Sequence, residues 1–285
     1  MHVCVKGDKK TERALMRASK YEYFIHPERG IQVRVKKREL NKFNAKLFNL
    51  GDLRTPSKPI EVLSVMFDLE GFTNFTRQVD PQLTIPNFIS DFFNWLFKKI
   101  KEELTVKEDK NVLWGELPFF SKFMGDGALF LWKIDMDRIV TIDRNLNPEE
   151  LRFALQEFLC NIVLSMWEIC EDYKEFLEIL KKRYVDPPNS LRCGIARGNI
   201  FPIGNGLDFV GPCINISARL QKFNGLSFAF SARGIDANAF NIDVRKGFVK
   251  KRVSIPGIGD DELIYVVKEE FKKLPKDLRS SMLDV

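Results

Sequence analysis

Residues 62–67, VLSVMF, form an almost unbroken apolar run that stops at an acidic residue, Asp68. The run is strand-length, and a strand with so little alternation must be covered on both faces. It therefore belongs inside a sheet, between two packing layers. The next segment has a different period. In TIPNFISDFFNWLFKKIKEEL (84–104), Ile85, Phe88, Ile89, Phe92, Phe93, Leu96, Phe97 and Ile100 recur at spacings of three and four. That spacing predicts an amphipathic helix with Pro86 in its first turn. LPFFSKFM (117–124) and ALFLW (128–132) flank Gly125-Asp126-Gly127, a hairpin signal. Residues 148–184 are helical in period and stop near Asp186-Pro187-Pro188. LRCGIA (191–196), LDFV (207–210), FAFSAR (228–233), KKRVSI (250–255) and LIYVVK (263–268) read as strands, and CINISARLQKF (213–223) opens a helix. Alternating strands and helices argue for an α/β or α+β sandwich.

The N-terminal stretch is different. Residues 1–20 read as a polar helix or tail. Two β-rich runs around Pro27 and Gly30 suggest a hairpin, and Gly51, Pro56 and Pro59 mark a linker. Residues 1–60 hold 15 Lys/Arg against 6 Asp/Glu, a net of +9, so the other 225 residues carry −3 of the overall +6. The basic excess is a property of an N-terminal extension (1–60), not of the body (61–285). Salt-dependent nucleic-acid binding would be confined to that extension, and the body argues against it. No run of about 18 apolar residues predicts a transmembrane helix, and no basic-then-apolar leader is visible. Five cysteines (Cys4, Cys160, Cys170, Cys193, Cys213), scattered and never in a CxxC pair, fit free thiols in the cytoplasm. With only His2 and His26, histidine triads and histidine-rich zinc sites are poor candidates. Any metal should be a hard cation on carboxylates.

Two such carboxylates stand out. Asp68 follows a buried strand and precedes a glycine-containing turn, and Asp126 sits at a hairpin tip. If their strands are neighbours, the carboxylates converge and call for a divalent cation, with substrate phosphates as further ligands. The segment EGFTNF (70–75) could then offer backbone N–H groups to phosphate oxygens. On spacing alone, a helix cap at Asp68 and an ordinary turn residue at Asp126 serve equally well.

FDLEGFTNF (67–75) resembles the first metal motif of class III nucleotidyl cyclases, the catalytic domains of adenylate and guanylate cyclases. KFMGDGALFLW (122–132) is similar to the family's hairpin with the second metal aspartate. LRCGIARG (191–198), LDFVGPCINISARL (207–220) and VSIPGIGDDELIYVV (253–267) resemble the later blocks, in the same order. The resemblance implies an α+β fold with a ferredoxin-like βαββαβ core, helices on one face and added strands. It implies two divalent cations (Mn²⁺ or Mg²⁺) on Asp68 and Asp126, with the Leu69 carbonyl as an extra ligand. It further implies phosphate binding at Gly71, Phe72 and Thr73, ribose orientation by Asn215, and α-phosphate contact by Arg219. Lys122 and Asp208 match the base-reading positions. The reaction implied is closure of a nucleoside triphosphate to a 3′,5′-cyclic nucleotide with release of pyrophosphate. Members assemble head to tail, so one copy of each block implies a homodimer with two shared sites.

Lys and Asp at the base-reading positions resemble adenylate cyclases; guanylate cyclases usually show Glu and Cys there. CTP offers the same ring acceptor and exocyclic amine as ATP. The chain also departs from the family's pattern. The insert including EDKNVLWGELPFF (108–120) is long, Ala196-Arg197-Gly198 replaces a usual His-Thr-Gly-like turn, and bulky Phe209 follows Asp208. With its phenylalanine-rich FISDFFNWLF, the chain looks similar to stand-alone bacterial pyrimidine cyclases of Pycsar antiphage defence. Those make cyclic CMP or cyclic UMP for a downstream effector, and this is the expectation favoured here. An adenylate cyclase is the alternative. A catalytically inactive nucleotide-binding module is the alternative of another class, and retention of Asp68, Asp126, Asn215 and Arg219 argues against it.

Overall fold

The computed structural model describes residues 24–25, 32–33, 49, 53–54, 56–106, 112–135 and 147–285. The expected tail at 1–20, most of the 41–60 linker, Cys4, both histidines and the charged residues 107–111 of the insert lie outside the described residues. The chain divides into two compact units, Met1–Thr55 with Ile203–Asp208, and Pro56–Pro202 with Phe209–Val285. In the first, β1 (Phe24–Ile25) pairs antiparallel with β2 (Gln32–Val33).

In the second unit the apolar run becomes β3 (Ile60–Glu70), with Val62–Leu69 all buried. A single turn α1 (Phe72–Phe75) leads to α2 (Pro81–Leu104). The hairpin forms as β4 (Phe120–Phe123) and β5 (Gly127–Lys133), followed by α3 (Pro148–Leu180) and β6 (Ser190–Ile203). Then come β7 (Asp208–Val210), α4 (Pro212–Leu220), β8 (Phe228–Ser231), the one-turn α5 (Ile242–Arg245), β9 (Phe248–Ile255) and β10 (Gly259–Val267). Helices α6 (Lys268–Lys273) and α7 (Lys276–Ser280) and a short β11 (Leu283–Asp284) close the chain.

The main sheet runs β11-β9-β10-β8-β6-β3-β5-β4. Its β6-β3-β5-β4 half, with α2 and α3 as crossovers, is the ferredoxin-like βαββαβ core, and β8 to β11 are the added strands. Alternation along β3 decides the layers. Leu63, Val65, Phe67 and Leu69 pack into one core with Phe88, Phe92, Leu96, Ile100 and Leu104 of α2 and the apolar face of α3. Val62 and Met66 pack into a second core with Cys213, Ile216 and Leu220 of α4 and with β9 and β10. The two helices of the core, α2 and α3, thus lie on one face as expected, and α4, which is outside the βαββαβ core, covers the other.

Pro86 also sits differently. The helix starts at Pro81, so Pro86 lies inside it and forgoes the bond its missing N–H would make to Gln82. α3 is opened by an Asn147–Glu150 capping box. By length and composition α3 is apolar enough to cross a membrane, although interspersed polar residues leave it no continuous apolar run; half of its most apolar stretch is buried in the protein. Cys160, Cys170, Cys193 and Cys213 are free and buried.

Candidate active site

Asp68 is directly across from Gly127 in the β3–β5 ladder. One residue on, the Leu69 N–H donates to the Asp126 carbonyl at 3.0 Å. The turn before it is closed by Met124 N–H donating to the Gly127 carbonyl at 2.9 Å. Gly127 is what permits this approach: a Cβ there would lie 2.0 Å from the Phe67 carbonyl oxygen. The structure therefore brings the two acidic residues of the sequence motifs to adjacent strand ends. Because Leu69 bonds toward β5, its own carbonyl points to the same side, toward the hairpin turn.

Asp68 shares a strand face with Val62, Ser64 and Met66, so its side chain is on the α4 side of the sheet. It is only 7% exposed. Burial raises its carboxyl above the usual aspartate value, the Asp126 charge adds to the rise, and Arg192 and Lys222 oppose it. Arg192, its cross-strand partner on β6, forms an ion pair with it through Nη2, and Nε donates to the same oxygen, Oδ2, at 3.2 Å. The same guanidinium lies 3.7 Å from Glu70, whose carboxylate accepts from Ser190 Oγ at 2.7 Å. Arg192 is a site residue that the motif reading did not single out; in sequence it is one polar residue in an alternating strand.

Gly71, with φ of 90°, turns the chain off β3 into α1, and its carbonyl accepts from Asn74 and Phe75. The N–H groups that open such a turn have no helical acceptor. Asn215 and Arg219 lie one above the other on the exposed side of α4, opposite the buried Cys213, Ile216 and Leu220. They are exposed, on the side of α4 that does not pack on the sheet. Lys122 stands on β4 opposite Leu129. Asp208 opens β7 and belongs to the first unit. Phe209 packs edge-on against Phe119 and Phe120, with ring centroids 5.5 and 4.8 Å apart. The Ala196-Arg197-Gly198 segment, expected as a turn, is instead the middle of β6, paired with Val62–Ser64 of β3, and Arg197 is a brace there: it pairs with Glu61 at 2.8 Å and donates to the Gly234 carbonyl at 2.8 Å.

Among the described residues no three His, Cys, Asp or Glu side chains cluster into a metal site. Two carboxylates and one backbone carbonyl are hard oxygen donors, which fits Mg²⁺ or Mn²⁺ completed by substrate phosphates and water rather than an all-protein cage. Burial is the largest cause of the raised Asp68 carboxyl, and the Asp126 charge adds to it against the opposing Arg192.

No protein-family model matches the chain, and no curated protein matches it. Among solved structures it is similar to a bacterial light-regulated adenylyl cyclase in two structures. These have TM-scores of 0.49 and 0.48 and identities of 14% and 13%, covering 99% of this chain and 72% and 73% of the other. It is also similar to the catalytic core of a rhodopsin-guanylyl cyclase with converted specificity in complex with ATPαS, with a TM-score of 0.43 and 16% identity over 75% of this chain and 98% of that one.

Proposed function

We propose that the chain is a class III nucleotidyl cyclase that closes a nucleoside triphosphate to its 3′,5′-cyclic nucleotide and releases pyrophosphate. The observation that carries this reading is the joining of Asp68 and Asp126 at adjacent strand ends through the Leu69–Asp126 bond. Asp68, Asp126 and the Leu69 carbonyl would hold two divalent cations. Bound there, the cations supply Lewis acidity that lowers the pKa of the ribose 3′-hydroxyl and offsets phosphate charge.

The protein's own residues then divide the work. Arg192 neutralises Asp68 in the resting site, and its planar fork suits a phosphate oxygen once the carboxylate is shared. The N–H groups of Gly71, Phe72 and Thr73 bind β- and γ-phosphate oxygens. Asn215 orients the ribose, and Arg219 meets the charge that develops on the α-phosphoryl oxygens. A preorganised donor of that kind is worth on the order of 10²–10³ in rate. Since Asn215 and Arg219 face outward, they serve the acidic pair of a second copy, and the working unit is a homodimer with two shared sites.

Lys122 and Asp208 read the base, and the favoured substrate is a pyrimidine triphosphate. The Phe119–Phe120–Phe209 cluster supports this choice, because bulky aromatic rings beside a base-reading position leave less room for a purine. ATP is the second reading, since the same Lys and Asp complement adenine's ring nitrogen and amine. The cyclic product would act on a downstream effector, as in antiphage signalling. Incubation with ATP, GTP, CTP and UTP in turn, with Mn²⁺ and mass-spectrometric identification of products, tests the proposal. Cyclic CMP or cyclic UMP is expected. Cyclic AMP selects the second reading, and no cyclic nucleotide from any of the four overturns the cyclase reading.

A further inference from the structure

Helix α4 carries Asn215 and Arg219 outward, but its C-terminal end comes down beside the acidic site of its own chain. A Cβ on Gly198 would lie 3.2 Å from Cys213 Cβ. A Cβ on Gly194 would lie 2.1 Å from the Ser217 carbonyl oxygen and 2.6 Å from the Gln221 nitrogen. As the helix advances from 213 to 221 it therefore passes back along β6 from 198 to 194, in the direction of Arg192. The Ser64 and Ser217 hydroxyls are 2.8 Å apart, which fixes the helix on the β3 face that also carries Asp68. The residue after Gln221 is Lys222. Its backbone N–H still bonds back to Arg219 at 3.1 Å, so it continues the turn. Its side chain is exposed and has no ion pair among the described residues. Its charge is felt at the carboxyl of Asp68.

We infer that Lys222 binds a phosphate oxygen of the triphosphate held at Asp68 and Asp126 of its own chain. The inference rests on the cyclase reading and adds a cis cation to it, whereas Arg219, three residues earlier, serves the second copy. Arg192 is tied to Asp68 and Glu70 by its fixed fork. A lysine on a flexible stem is a compact point charge that can follow the pyrophosphate as it separates.

Pyrophosphate is the probe. Its affinity for the Mn²⁺-loaded full chain is measured by calorimetry for the wild type, Lys222→Gln and Lys222→Arg, alongside KM and kcat for the preferred triphosphate. Lys222→Gln should weaken pyrophosphate on the order of tenfold and raise KM more than it lowers kcat, and Lys222→Arg should restore most of the loss. Unchanged pyrophosphate affinity in Lys222→Gln overturns the inference. A wild type that binds pyrophosphate yet cyclises none of the four triphosphates sinks the cyclase reading, while the affinity comparison still decides Lys222. In mixtures of Asp68→Ala and Arg219→Ala chains, Lys222→Gln should lower activity more when carried by the Arg219→Ala chain, which supplies Asp68. The reverse pattern overturns the cis assignment.

Discussion

The N–H of Leu69 donates to the carbonyl of Asp126 at 3.0 Å, so the residue after one acidic strand end is bonded to the other acidic residue itself. This bond sets the separation of the two carboxyl-bearing positions through the backbone, independently of rotamers. It is possible because β3 and β5 are direct neighbours and because position 127 has no side chain.

Gly127→Ala is the substitution most damaging to that relationship. Its methyl would lie 2.0 Å from the Phe67 carbonyl oxygen, which only a parting of the strands relieves. Overpacking of this kind costs roughly 1–3 kcal/mol. A lowered melting temperature together with loss of Mn²⁺-dependent activity is expected. Wild-type melting and turnover would show that the close approach is dispensable.

Arg192→Ala should change the acid side of the pH–rate profile. Asp68 sits above the usual aspartate range because of burial, and Arg192, through its hydrogen bond and its charge, pulls it down. Removing the guanidinium lets the carboxyl rise further, so activity should begin to fall at a higher pH than in the wild type. The measurement is kcat/KM against pH, and an unmoved acid limb would refute the pairing.

Between α2 and α3, the Glu103 carboxyl is raised to about 7, by burial first and then by its hydrogen bond and charge interaction with Glu168. Asp172 also raises it and Lys99 lowers it, while Lys99 and Asp172 pair at 2.8 Å. A raised acid binds its proton more tightly in the folded state, so its contribution is complete below the unfolded value near 4.5 and is lost as pH rises through about 7. Glu103→Gln keeps the hydrogen-bonding amide and should flatten the melting temperature between pH 5 and 8. Solvent screening limits the gain at pH 8 to about 1 kcal/mol or less. A slope identical to wild type contradicts the raised Glu103 carboxyl.

Asp208→Ala should discriminate bases without touching phosphates. Losing one hydrogen bond from a charged group costs about 1.5–3 kcal/mol, so kcat/KM for the preferred triphosphate should drop roughly 10–100-fold. Inhibition by pyrophosphate should stay as in the wild type. An equal loss for all four triphosphates would remove Asp208 from base reading.

Much of the sheet was legible because burial leaves a strong pattern. VLSVMF could only be an interior strand, and the Asp-Gly hairpin announced itself through its turn residues. The meeting of Asp68 with Asp126 needed the strand order as well, which local pattern does not carry. Arg192 was invisible for a similar reason: its role comes from its cross-strand partner, 124 residues away. The start of α2 at Pro81 was missed because its first turn exposes Gln82 and Leu83, giving no apolar period to read. α4 on the opposite face follows from the two-faced burial of β3, yet only the Ser64–Ser217 contact and the Gly194 clearance fix where it lies.

The most direct test of a composite cyclase site uses two inactive proteins. Asp68→Ala and Arg219→Ala chains are purified, combined under conditions that allow subunit exchange, and assayed for cyclic nucleotide with Mn²⁺ and the preferred triphosphate. Each alone should be inactive, and an equal mixture should recover about a quarter of wild-type activity, since half the dimers regain one of two sites. A mixture as inactive as its parts, beside an active wild type, would contradict an acidic pair completed by a second copy's Asn215 and Arg219.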